Sequence, residues 1–145
     1  MNSTEAAVVV DLNGQPIFWH TPPGSSAVYL PDSRQLWDVL WENRKNLAGV
    51  AHSHPGHGIP VPSWEDVTTF DAIERGLGIR LVWWITTMDA CDAFVYDDNV
   101  VSAKGPYNYV RRPLEGQPTW LRRLREISYP APTVLEHKQQ LDRRR

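Results

Sequence analysis

His52 and His54 stand one residue apart at the end of a short apolar run, Leu47-Ala48-Gly49-Val50-Ala51. Such a run forms a buried strand, and alternate residues of a strand share a face. The two imidazoles therefore point the same way and make half of a zinc site. The Gly- and Pro-rich stretch Pro55 to Pro62 turns the chain, and Ser63-x-x-Asp66 is a capping-box signal for a helix start. Asp66 then falls in the first helical turn, where a carboxylate suits the helix dipole and the loop can fold it back over the histidines. Two histidines and an aspartate leave one corner of a tetrahedral Zn²⁺ for water, which is the arrangement of a catalytic site. H-x-H alone is a weak signal; here it coincides with the following proline, the loop and S-x-x-D.

Water activated by a metal still needs a base within hydrogen-bond reach. Glu5 and Glu42 are the glutamates that precede His52. Glu42 falls late in an amphipathic helix beside Trp41 and is expected to face solvent. Glu5 opens the apolar run Ala6-Ala7-Val8-Val9-Val10-Asp11, so a rigid element fixes it, and it is the candidate base. Ser63 is the expected N-cap of the helix that presents Asp66. His57 is expected to be an exposed loop residue, with an alternative role as ligand or substrate contact.

The elements that must position these groups follow from periodicity. Glu5 to Asp11 reads as a buried strand, Asn13-Gly14 as a turn, and Ile17 to His20 as the hairpin partner. Ala27 to Leu30 reads as a third strand. Ser33 offers an N-cap to a helix of about three turns carrying Leu36, Trp37, Leu40 and Trp41, with Asn46 near its end. The helix opened by Ser63 carries Val67, Phe70, Ile73 and Glu74 and stops at Gly76 or Gly78. Ile79 to Thr86 is the strongest strand signal and is expected at the sheet centre. Cys91 to Tyr96 and Val100 to Ala103 are further strands. Thr119 to Ile127 reads as a helix with Trp120, Leu121, Leu124 and Ile127 on one face. The expected architecture is α+β (mixed α/β): a central, mostly antiparallel sheet flanked by helices, in one domain over residues 1–128. The polar tail 129–145 is expected to be a frayed helix or disordered.

In its H-x-H-P and S-x-x-D residues, His52, His54, Pro55, Ser63 and Asp66, the sequence resembles the JAMM zinc metalloproteases of the MPN-domain family. The connecting segment Gly56 to Pro62 is one residue longer than the usual pattern, which raises Glu65 as an alternative acidic ligand; Asp66 keeps the S-x-x-D unit intact. The resemblance implies that Glu5, standing just before an apolar strand, is the catalytic glutamate. It also implies that Ser63 hydrogen-bonds the oxyanion. Val8 and Asp11 replace the glycines usual in that strand. The helix that the family carries before this strand is not expected here: either the domain is a trimmed version or the role passes to another segment, such as the C-terminal helix. The implied activity is cleavage of the C-terminal tail of a ubiquitin-like modifier, from its precursor or from a lysine conjugate. Activating (E1-like) and conjugating (E2-like) enzymes of the same system are implied partners, in a prokaryotic, deubiquitinase-like branch that includes antiphage systems and sulfur-carrier processing.

Composition bounds these readings. The 145 residues are 41% hydrophobic, enough for one core. A net charge of −2 gives no bias toward nucleic acid or membranes. The single cysteine, Cys91, excludes an internal disulfide framework, and no run reaches membrane-spanning length. A cytoplasmic protein is therefore expected, with neither nucleic acid nor membrane as partner. The basic cluster Arg111, Arg112, Arg122, Arg123 and Arg125 reads as a solvated helix face. Two rival functions are a non-catalytic MPN scaffold that binds partners and a zinc hydrolase of a small amide.

Overall fold

The computed structural model describes residues 3–100 and 108–130. They form six strands and three α-helices: β1 (Ala7–Asp11), β2 (Pro16–His20), α1 (Arg34–Glu42), β3 (Leu47–Ser53), α2 (Trp64–Leu77), β4 (Val82–Thr86), β5 (Cys91–Tyr96), β6 (Tyr109–Arg112) and α3 (Leu121–Ser128). One sheet holds all six strands in the order β2-β1-β3-β4-β5-β6. Only β3 and β4 run parallel, and α2 is part of the crossover between them. The α+β class with a mostly antiparallel sheet is as the sequence predicts, and β4 lies inside the sheet. Among the described residues no helix is long and apolar enough to cross a membrane.

β1 is buried on both faces, as its unbroken apolar run requires. Ala7 and Val9 join Val50, Trp83, Ile85 and Phe94 under α1 and α2, which add Leu36, Leu40, Phe70 and Leu77. Val8 and Val10 join Ala51 and Cys91 on the opposite face, beneath Trp120, Leu121 and Leu124. Thus α3 covers the sheet's second side. Burial pushes the Cys91 thiol up to about 12, so it is an apolar filler here.

Two glycines are dictated by geometry. A Cβ on Gly49 would lie 1.8 Å from the Val82 carbonyl oxygen, so the parallel pairing of β3 with β4 needs hydrogen there. Gly78 caps α2 in the left-handed region (φ 72°), its N–H donating to the Glu74 carbonyl.

Glu74 ties α2 to the sheet. Its Oε1 accepts from Arg80 and from the Tyr109 hydroxyl, both at 2.8 Å. Its Oε2 accepts from the Leu81 backbone N–H at 3.1 Å and the Trp83 indole at 2.8 Å. These bonds also explain a shorter β4 than the pattern suggests. Leu81 gives its N–H to Glu74, and Ile79 gives its own to the Glu74 carbonyl, so 79–81 connect rather than pair.

Other expectations need correction. Ala27 to Leu30 is not a strand: prolines at 22, 23 and 31 confine pairing to one bridge, Ser26 with Tyr29. Helix α1 ends at Glu42, with a 3₁₀ turn over Arg44–Asn46. Val100 is not in a strand, and 101–103 and the tail from 131 lie outside the described residues. β5 pairs instead with Tyr109–Arg112, which the sequence pattern did not mark. The arginines are not one solvated helix face either. Arg111 and Arg112 lie in β6, bonded to Asp92 and Asp97. From α3, Arg122 and Arg123 pair with Glu126 while Arg125 donates to the Thr86 hydroxyl.

Candidate metal centre

The sheet register builds the site. Ala7 pairs with His52 and His52 with Ile85, so the neighbours of the buried imidazole are small on one side and apolar on the other. Continuing the β1–β3 register by two residues sets Glu5 opposite His54, on the face that carries Ala7 and Val9. His54 lies just past β3, its N–H held by the Thr86 carbonyl at 2.8 Å.

Asp66 arrives from the other direction. The capping box forms: Ser63 Oγ accepts from the Asp66 N–H (3.0 Å), and Asp66 Oδ2 accepts from the Ser63 N–H (2.8 Å). The carboxylate that caps the helix also meets both histidines. Its Oδ1 is 3.3 Å from His52 Nε2, and its Oδ2 is 2.9 Å from His54 Nε2. The two Nε2 atoms are 3.0 Å apart. Glu65 is exposed, and the acidic group that meets the imidazoles is that of Asp66.

These three side chains suit a metal ion. Zinc bonds of about 2.0–2.1 Å in a tetrahedron set neighbouring ligand atoms about 3.4 Å apart. The two imidazole nitrogens stand 3.0 Å apart, and each meets a different oxygen of Asp66, at 3.3 and 2.9 Å. Two imidazole nitrogens and a carboxylate gathered this closely are a donor set that could hold a divalent cation.

The electrostatics agree. Burial acts to raise the Asp66 pKa, but hydrogen bonds from His52 and His54 outweigh it and hold the carboxyl well below the usual range. Burial acts to lower the His54 pKa, but Asp66 and Glu5 raise it overall. For Glu5, burial raises the pKa and the two histidines offset only part of that. Glu5, His52, His54, Ser63 and Asp66 line one cavity of about 580 Å³, together with Tyr29, Leu36 and Ile73.

Residues 4–97 match the family described as prokaryotic homologs of the JAB domain. The chain belongs to that family. The match spans well over half of the chain and agrees with the MPN/JAMM resemblance of the motif residues. No curated protein matches the chain. In this JAB domain, the match includes all five candidate site residues and ends before β6 and α3.

The remaining expectations divide. His57 is exposed, as predicted, and its Nδ1 meets Asp89 at 3.1 Å, away from the metal cluster. Glu42 is exposed at the end of α1, as predicted. Two contributors escaped the sequence reading. His20 is buried in the cavity wall with Nε2 2.6 Å from the Pro31 carbonyl oxygen, and so tethers the 27–31 segment. Phe70 stacks on Trp83 (4.2 Å between ring centres) and sets an edge against the His52 ring. The β1–β2 register would have pointed to His20, which pairs with Ala7 beside His52.

Proposed function

We propose that this JAB-domain protein is a zinc-dependent peptidase that cleaves the C-terminal tail of a ubiquitin-like modifier from a precursor or lysine conjugate. The observation that carries the reading is the convergence of His52, His54 and Asp66, with Glu5 and Ser63 in the same cavity. His52, His54 and Asp66 would hold the ion. Zinc there supplies Lewis acidity, lowering the pKa of water toward ~7. Glu5 is the general base: its carboxylate takes a proton from the attacking water and returns it to the leaving amine nitrogen. Ser63 Oγ accepts from the Asp66 N–H and keeps its own proton, which it donates to the carbonyl oxygen as negative charge develops there. The modifier's extended tail lies in the cavity, and the activating and conjugating enzymes of the same system, including antiphage ones, are its working partners in the cytoplasm.

Metal analysis and incubation with a fused ubiquitin-like substrate test this. The expected result is near-stoichiometric zinc, lost in His52→Ala, with cleavage at the modifier's C-terminus abolished in Glu5→Ala. A folded wild-type protein that takes up no zinc, or undiminished cleavage by Glu5→Ala, would overturn it.

A further inference from the structure

The candidate site opens on one face of the sheet, yet hydrogen bonds from the other face fix its parts. Ser53 lies between the two histidines, points to the opposite side and is fully buried. Its Oγ accepts the Ala6 N–H at 3.0 Å and shares a 2.6 Å bond with the equally buried Ser128 hydroxyl. Ser128 is the donor of that bond, with the Leu124 carbonyl 2.8 Å away as a second acceptor, and the Ser53 hydroxyl in turn faces the Ala6 carbonyl at 3.4 Å. The Ser128 carbonyl accepts the Thr4 N–H at 3.0 Å. Next in sequence, the Tyr129 hydroxyl lies 2.9 Å from the His54 carbonyl and 3.2 Å from that of Thr86, and donates to that pair.

Thr4 and Ala6 flank Glu5, and His52 and His54 flank Ser53. Two consecutive residues at the end of α3 thus touch the neighbours of Glu5, His52 and His54 together. Glu5 needs such support, because it lies before the first residue of β1 and its N–H faces away from β3, to the Ser26 carbonyl at 2.8 Å.

We propose that Ser128 and Tyr129 form a positioning clamp, which sets the separation between the Glu5 carboxylate and the metal-holding imidazoles from behind the sheet. The clamp rests on the function proposed above, and it comes from a part of the chain beyond the family match. Supporting residues around a metal site change its affinity by roughly 10–100-fold when altered.

The test compares full-length wild type, Ser128→Ala and Tyr129→Phe. Zinc affinity is read by competition with a chromogenic chelator, and ligand geometry by the visible spectrum of the cobalt(II)-substituted protein. Melting of the metal-free protein controls for folding. Each variant is expected to bind zinc about tenfold more weakly and to shift the cobalt bands. Tyr129→Phe loses only two hydrogen bonds from a half-buried phenol, so it keeps the comparison decisive if Ser128→Ala folds poorly. Zinc-binding wild type matched by Tyr129→Phe in both affinity and spectrum would overturn the clamp alone. Wild type that binds no zinc would remove the proposed function and the clamp with it.

Discussion

The two halves of the candidate centre are held by different means. His52 sits in a ladder bonded to strands on both sides, and the Ser53 and His54 N–H groups are taken by the Ala6 and Thr86 carbonyls. Ladder bonds between strands carry that half, with the Ser128 and Tyr129 hydroxyls added from behind. Asp66 is reached through the loop 55–62, which has no ladder and is tied by scattered contacts. Asp89 accepts from the Gly58 N–H at 2.6 Å and meets His57. Thr87 donates to the Gly58 carbonyl and Arg111 to that of Pro60, both at 2.6 Å. The Met88 N–H donates to the Gly56 carbonyl at 2.9 Å. Most of these ties go to main-chain atoms of the loop, which every residue type provides. A connecting segment one residue over the usual length can therefore be absorbed while the capping box still delivers its carboxylate.

Breaking the rigid half should cost most. His52→Ala is expected to abolish zinc retention and activity, beyond the roughly 10–100-fold cost of disturbing a supporting residue; elemental analysis and substrate cleavage read it. Glu5→Gln should spare zinc content while lowering kcat by roughly 10²–10⁴-fold, which separates metal holding from proton transfer. Phe70 joins the halves, since it projects from α2 onto both Trp83 and the His52 ring. Phe70→Ala should cost about 3–5 kcal/mol in denaturant unfolding, and an equal melt in the variant would show that the halves stand independently.

The pH response of the metal-free protein sharpens the contrast. The Asp66 pKa is lower folded than unfolded, so its contribution is present above the unfolded value of about 3.9 and is lost as pH falls. Melting temperature should drop on acidification below about pH 4, with a shallower drop in Asp66→Asn. The smallest effect belongs to one tie among several: Asp89→Ala should weaken zinc affinity by no more than about tenfold and leave the melt unchanged. A loss as large as that of His52→Ala would mean that the loop is not redundantly held.

What could be read from sequence was local. Strand alternation sets His52 and His54 on one face, and the capping box needs only Ser63 and Asp66, three residues apart. Their convergence was legible because few residues separate the two elements. β6 was not, because Tyr109–Arg112 has no apolar alternation, and its Tyr109 is fixed by Glu74 in a distant helix. Ala27–Leu30 misled in the opposite sense: its composition favours a strand, but the bounding prolines leave little backbone to pair. The contact of Ser53 with Ser128 joins residues 75 apart, and two serines carry no pattern that would announce it.

The four bonds to Glu74 make it intolerant of its nearest isostere. Each carboxylate oxygen faces two donors, so an amide nitrogen in either place would aim hydrogens at hydrogens. On the Oε2 side, neither the main-chain N–H nor the indole can turn its polarity around. Glutamine would therefore put its nitrogen on the Oε1 side, where the phenol can rotate to accept but the guanidinium cannot. Arg80 would swing free and abandon its seat over the Tyr96 ring, 3.7 Å away. One oxygen exchanged for nitrogen thus unfastens the outer surface of the helix that carries Asp66, while leaving size and shape unchanged.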